Sequence, residues 1–189
     1  DAEGSKRHGD VLARLDEINA NSAPRRAQTL LDNLGFSKEL QKRPLSQLSG
    51  GWRVRTMLGA ALFAKADLLL LDEPTNHLSI LAVMWLAREL STSETWKQRI
   101  VVIVSHDRHF MDEVCTDCLH ISGAARRLTQ SKGNYTLWAK RRADERTLFA
   151  KEQEKRQAEI ETLREYAGHG FRYGGSSSQI NKMSMKAKQ

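Results

Sequence analysis

ADLLLLDE (residues 66–73) is a continuous apolar run that ends in two acids. Alternation is absent, so neither face is marked for water, and the run is expected to be a strand of a parallel sheet buried on both faces. RIVVIVSHD (residues 99–107) has the same character and is rich in β-branched residues. Between and around these strands the apolar spacing is helical. Val54, Met57, Leu58, Ala61 and Leu62 fall on one face of residues 50–63, and residues 81–90 are helical too. Strands alternating with helices indicate an α/β fold around a parallel sheet. A short helix is expected over residues 107–114, then short strands near 119–121 and 127–129.

Upstream, residues 10–36 form two predicted helices. Leu12, Leu15 and Ile18 make an apolar stripe, Ser22 is placed to cap the second helix with Pro24 in its first turn, and Gly35 ends it in the left-handed region. A short helix over residues 37–42 stops near Pro44. Downstream of KGNY (residues 132–135) the composition changes. Residues 136–166 are helix formers without Gly or Pro, with sparse apolar positions and the pairs Glu152–Arg156 and Glu161–Arg164 at helical spacing. Such a segment would extend about 45 Å as one helix and is expected to project from a core. Four glycines and three serines in GHGFRYGGSSS (residues 168–178) are expected to break it, and QINKMSMKAKQ resumes helical composition, which makes a helical hairpin.

The net charge of +7 is unevenly placed. Residues 136–189 carry 12 Lys/Arg against 7 Asp/Glu, and residues 1–135 carry 18 against 16. A basic end on a near-neutral body fits either a polyanion partner or a solvated tail. No apolar run approaches the roughly 18–20 residues of a membrane span. Two cysteines make no disulfide framework, which fits a reducing compartment. The chain begins at Asp1 rather than Met, without a charged-then-apolar leader, and is expected to be a piece of something longer.

Three stretches carry chemistry. Asp72 and Glu73 end a strand at the carboxyl edge of a parallel sheet, where ligands of such sheets sit. Asp72 suits Mg²⁺ held through water, and Glu73 suits polarising a water for attack on a γ-phosphate. His106 follows the other strand at the same edge and can donate to a phosphate oxygen. In LSGGWRVR (residues 48–55), Ser49 is placed as an N-cap, and Gly50 and Gly51 leave backbone N–H groups open at a positive helix end. Each alone has a plain structural alternative: an acidic turn, a helix start, a capped helix. Cys115 and Cys118 form C-x-x-C near His109 and His120, but one falls on a helix and the other at its exit to a strand, so packing is favoured over metal or redox chemistry.

In their order and spacing, LSGGW, LLLLDEPTNHL and SHDRHF strongly resemble an ATP-binding-cassette ATPase of the P-loop NTPase type. EPTNHL, Trp52 and KGNY before a long charged helix resemble the ABC-F family, twin-cassette ATPases that act on ribosomes. The resemblance implies that residues 1–134 are the C-terminal part of a cassette, with a helical subdomain, and that residues 135–189 are the interdomain linker with a basic tip. It implies Ser49, Gly50 and Gly51 as the signature, Asp72 as the Walker B metal residue, Glu73 as catalytic base and His106 as the switch histidine. ATP and Mg²⁺ are the implied ligands, a second cassette, the ribosome, rRNA and tRNA the implied partners, and the cytoplasm the implied location, with no membrane.

Phe171, Arg172 and Tyr173, with Lys182, Lys186 and Lys188, would then contact RNA: aromatics stack on bases beside cations for phosphate. Docking against a cassette is the alternative. Two departures stand out. Ser79 occupies the place after NHL where the family carries Asp, which puts coupling between sites in doubt. No G-x(4)-G-K-S/T loop occurs in the 189 residues, and the glutamine loop is missing as well. Both are expected upstream of Asp1, along with further sheet strands whose loss would leave aggregation-prone edges. These 189 residues are therefore expected not to hydrolyse ATP by themselves. A transporter nucleotide-binding subunit and a non-hydrolysing RNA-binding scaffold are the competing readings. EPTNHL and the linker argue against the first, and the absent loop and Ser79 keep the second open.

Overall fold

The computed structural model describes residues 2–172 and Met185, with side chains described from residue 6 to 166. The chain divides into two units, Asp1–Tyr135 and Thr136–Gln189. In the first, α1 (Ala2–Glu17) leads through a 3₁₀ turn (Ala20–Ser22) to α2 (Ala23–Asn33) and the short α3 (Lys38–Gln41). After a second 3₁₀ turn (Leu45–Gln47) come α4 (Gly50–Ala64), β1 (Leu68–Asp72), α5 (Ile80–Thr92), α6 (Glu94–Lys97) and β2 (Ile100–Val104). Then α7 (Arg108–Val114) is followed by β3 (Asp117–Ser122) and β4 (Arg127–Lys132). The fold is α/β, as the alternation of elements predicted.

β1 and β2 pair in parallel, from Leu68 opposite Ile100 to Asp72 opposite Val104, while β3 and β4 make an antiparallel ladder. Leu69 and Leu71 point into a core with Leu62, Leu86, Ala87, Leu90, Trp96 and Phe110. The expectation of burial on both faces of the parallel sheet fails. Leu68 and Leu70 are exposed, as are Ile100 and Val104 at the two ends of β2. Helices cover one face, and among the described residues nothing covers the other. A second cluster, Leu34, Phe36 and Leu48 with Trp52 against it, joins α2 to the start of α4.

Local chemistry sets the helix ends. Gly35 takes φ +88 after α2, as its lack of a Cβ allows. Ser37 accepts a hydrogen bond from Leu40 N at 3.3 Å and starts α3. Ser22 departs from its predicted role: its backbone is helical, and its hydroxyl donates to Asn19 O at 3.0 Å instead of capping α2. The predicted stripe on α1 is likewise exposed at Leu12, Leu15 and Ile18. On α4 the expected apolar face is split, with Leu62 buried but Val54 and Met57 exposed. Gly59 is buried there, and a Cβ on it would stand 3.0 Å from Leu30 Cδ2, so α2 and α4 cross where there is no side chain.

In the second unit α8 (Tyr135–Arg172) is a single helix, its exposed side chains including Leu148 and Phe149. It runs about 57 Å at 1.5 Å per residue and continues past Gly168 and Gly170, where the sequence predicted a break. A glycine costs a helix interior only about 1 kcal/mol against alanine, and neither supplies a left-handed cap. Tyr173, Lys182, Lys186 and Lys188 lie outside the described residues, as does the returning arm of the predicted hairpin. Phe171 and Arg172 are described only as the backbone end of α8. No helix among the described residues is long and apolar enough to cross a membrane.

Candidate functional site

The parallel register does the first part of the assembly. Asp72 and Val104 are partners at the carboxyl ends of β1 and β2. Glu73 N continues the ladder with a 2.8 Å bond to Val104 O. The residues just beyond both strands therefore emerge side by side. Glu73 Oε2 accepts from His106 N at 3.3 Å, and Glu73 Oε1 lies 3.5 Å from His106 Nε2. The histidine side chain is almost wholly exposed, and the Glu73 side chain is 23% exposed. Two residues 33 positions apart in sequence thus meet at the sheet edge where both were expected, and their contact was not foreseen.

Glu73 reaches this position at a cost. Its φ is +47, and that of His77 is +64. A non-glycine residue in this region costs roughly 1–2 kcal/mol, so the turn between them must be held by its surroundings. Asn76 N bonds to Glu73 O at 3.1 Å, and Leu78 N bonds to Thr75 O at 3.2 Å. Asp72 is exposed at the strand end and pairs with no cation among the described residues. Asp107 caps α7 by accepting from Phe110 N at 3.1 Å, which settles whether it or Ser105 starts that helix.

Ser49, Gly50 and Gly51 form the start of α4. Ser49 has the extended backbone of an N-cap, but its side chain makes no cap hydrogen bond. Its predicted capping role is therefore met by backbone position alone. A Cβ on Gly50 would meet nothing within 4 Å, so packing does not require glycine there. A Cβ on Gly51 would stand 3.9 Å from His77 Cβ, which places the helix start against the turn that follows Glu73.

Arg55 completes this junction, and sequence reasoning missed it. Its guanidinium lies 4.3 Å from the Trp52 ring centroid and its Nη2 donates to the His77 carbonyl. Trp52 itself sits edge-on to Phe36, with centroids 4.7 Å apart. The signal available was an arginine one helical turn after a tryptophan, which marks a stacked pair. Its reach to a carbonyl 22 residues away was not visible. Ser79 caps α5 by accepting from Ala82 N at 3.4 Å, a bond that Asp could also make. Away from this edge, burial pushes the Cys115 and Cys118 thiols up, with Asp112 adding to both. Both are free, and no metal-holding group of side chains occurs among the described residues.

The sequence pattern of the family described as "ABC transporter" matches residues 6–76, which takes in α4, β1 and the turn after Glu73. ATP-binding cassette sub-family F member 3 of Homo sapiens is 40% identical over 99% of this chain and 26% of its own length. ATP-binding cassette sub-family F member 2 of Bos taurus is 42% identical over 71% of this chain and 21% of that protein. The "Probable ATP-binding protein YheS" of Escherichia coli O6:H1 is 41% identical over 77% of this chain and 22% of that one. The chain thus spans about a quarter of the length of the curated relatives it matches. With the cassette motifs standing on the predicted elements and these relatives aligned across them, the chain belongs to the ABC-F family of ATP-binding cassette proteins.

Proposed function

We propose that this chain is the back part of one cassette, plus linker, of a twin-cassette ATPase that couples ATP hydrolysis to engagement of the ribosome and its tRNA in the cytoplasm. The observation that carries the reading is the Glu73–His106 pair at the carboxyl edge of the parallel sheet. A carboxylate held by a backbone N–H on one oxygen keeps the other for a water, whose proton it accepts as the water attacks the γ-phosphate. His106, whose Nε2 lies 3.5 Å from Glu73 Oε1, is placed to follow the charge that develops there. Asp72 is an exposed hard-oxygen donor beside it, which suits a divalent cation. Mg²⁺ bound there would neutralise charge on the phosphates.

The α4 end serves a different nucleotide. Ser49 with its uncommitted hydroxyl, and the Gly50 and Gly51 amides, fit the γ-phosphate of an ATP held by the second cassette. The residues that grip the phosphates of this cassette's own nucleotide are not among the 189. Backbone amides and a lysine of a phosphate loop supply most of that grip, so residues 1–189 alone do not turn ATP over. The basic tip, with Phe171, Arg172, Tyr173, Lys182, Lys186 and Lys188, takes the RNA contacts.

In the intact protein, magnesium-dependent turnover falls about 10²–10⁴-fold on Glu73→Gln, the usual worth of a general base, while co-sedimentation with ribosomes in ATP persists. Unchanged turnover removes Glu73 as base. Loss of ribosome binding in wild type with turnover intact removes the translation reading and leaves the ATPase. Turnover by residues 1–189 alone overturns the composite-site reading.

A further inference from the structure

We infer a second binding site at the far end of α4, for an acidic peptide segment that carries an apolar side chain. A cavity of about 350 Å³ is lined by α2 from Arg25 to Asn33, the end of α4, Trp85 and Glu89 of α5, and Trp96 of α6. That volume falls within the range of ligand sites. Along α4 it lies some 20 Å from Gly50, at 1.5 Å per residue, so it is separate from the nucleotide edge.

The wall holds three cations: Arg25, Arg26 and Lys65. None of them pairs with a carboxylate among the described residues. Arg26 is fixed in place without an acid. Its Nη2 donates to Ile18 O at 3.2 Å and to Asn19 O at 3.3 Å, and its guanidinium lies 5.4 Å from the Phe63 ring centroid. Its Nε is buried with no acceptor. A guanidinium already oriented loses little freedom on meeting a carboxylate.

Lys65 adds an independent sign. It sits at the C-cap of α4 with φ +50, where glycine is the ordinary choice. Arg99 Nε donates to its carbonyl at 2.9 Å and holds that backbone. The backbone of this third cation is thus fixed beside the cavity that its side chain lines. Phe63 and Trp85 give the cavity its apolar walls, and Glu89 lies among the cations. The three cations outnumber this one acid and suit the carboxylates of an acidic segment, while Leu30, Leu62, Phe63 and Trp85 suit its apolar side chain.

The test is fluorescence anisotropy of fluorescein-labelled Asp-Glu-Phe-Glu-Asp with the intact protein. Saturable binding is expected, weakened about tenfold or more in the Arg25→Gln/Lys65→Gln double variant, whose two positions are exposed rim charges. Unchanged thermal unfolding of that variant shows that folding is not the cause. Replacing the peptide's acids by amides, or its Phe by Ala, should weaken binding as well. No saturable binding up to about 1 mM, or equal binding to the double variant, overturns the proposal. So does capture of an oligouridylate in place of the peptide with the same loss in the variant, which assigns the cavity to RNA.

Discussion

Ser37, Ser49 and Ser79 start three helices with nearly the same backbone, φ between −72 and −65 and ψ between 158 and 164. At Ser37 and Ser79 the hydroxyl turns inward and accepts from the helix. At Ser49 it does not. The backbone therefore permits the cap, and the side chain of Ser49 is left for something outside the helix. The Glu73 half of the site is built the other way. Its carboxylate is already engaged, by His106 N on one oxygen and near Nε2 on the other. One half-site is pre-organised by contacts within the unit, while the other keeps its donors uncommitted. That contrast fits the composite site proposed above, with a carboxylate fixed in geometry on one side and uncommitted donors on the other.

The sharpest way to break the contrast is a charge at the open half. In Gly50→Asp the new Cβ meets no neighbouring element, because nothing lies within 4 Å of its position. An acid in the first turn also suits the helix dipole. Stability should hold or rise slightly, while turnover by the intact protein falls about 10²–10³-fold, comparable to losing donors at a developing anion. Thermal unfolding and ATPase assays on one preparation separate the two effects. A fall in both together would place Gly50 in the fold and not at a phosphate.

Much of this was legible in the sequence because it rests on local rules. Apolar runs marked β1 and β2, and pairing in parallel register is enough to bring Glu73 and His106 together once each follows its strand. The cap at Asp107 follows from residue type and position, whereas those expected of the Ser22 and Ser49 hydroxyls are not made and those at Ser37 and Ser79 were not foreseen. What was hidden depends on tertiary context. Periodicity could not say that Leu68 and Leu70 would be uncovered, since that depends on which layers are present. Nor could it show Gly59 as the crossing point of α2 and α4, or the positive φ at Glu73 and His77. Residues 168–172, the described part of the expected break, stay helical because each glycine imposes only a small cost, and the rest of that stretch lies outside the described residues.

Arg55 joins the two halves, so its removal tests whether they act as one. The guanidinium stacks on Trp52 and holds the His77 carbonyl, at the end of the strained turn that begins with Glu73. In Arg55→Ala that turn loses its tie to α4. Amide exchange at Asn76 and Leu78, whose N–H groups close the turn, should speed up about tenfold, as for a local opening made easier by roughly 1.4 kcal/mol. Turnover should fall while the apparent KM for ATP stays near wild type. Arg55→Lys keeps a charge but not the planar stack, so it should restore only part of the protection. Unchanged exchange would mean that the turn is held by its own hydrogen bonds.

The smallest effect is also the most direct reading of the serines. Replacing a capping serine by alanine costs typically about 1 kcal/mol. Ser79→Ala should cost that much, since its hydroxyl accepts from Ala82 N. Ser49→Ala removes no cap bond, so its cost should be a few tenths of a kcal/mol, near that of an ordinary surface change. Denaturant unfolding of the two variants side by side, with equal m-values, makes the comparison free of effects on the unfolded chain. Should both cost the same, the Ser49 hydroxyl caps α4 in solution and the open half-site closes on itself. Should they differ as expected, a serine that adds little to stability stands at the start of α4, and its hydroxyl is free for the proposed contact with a phosphate.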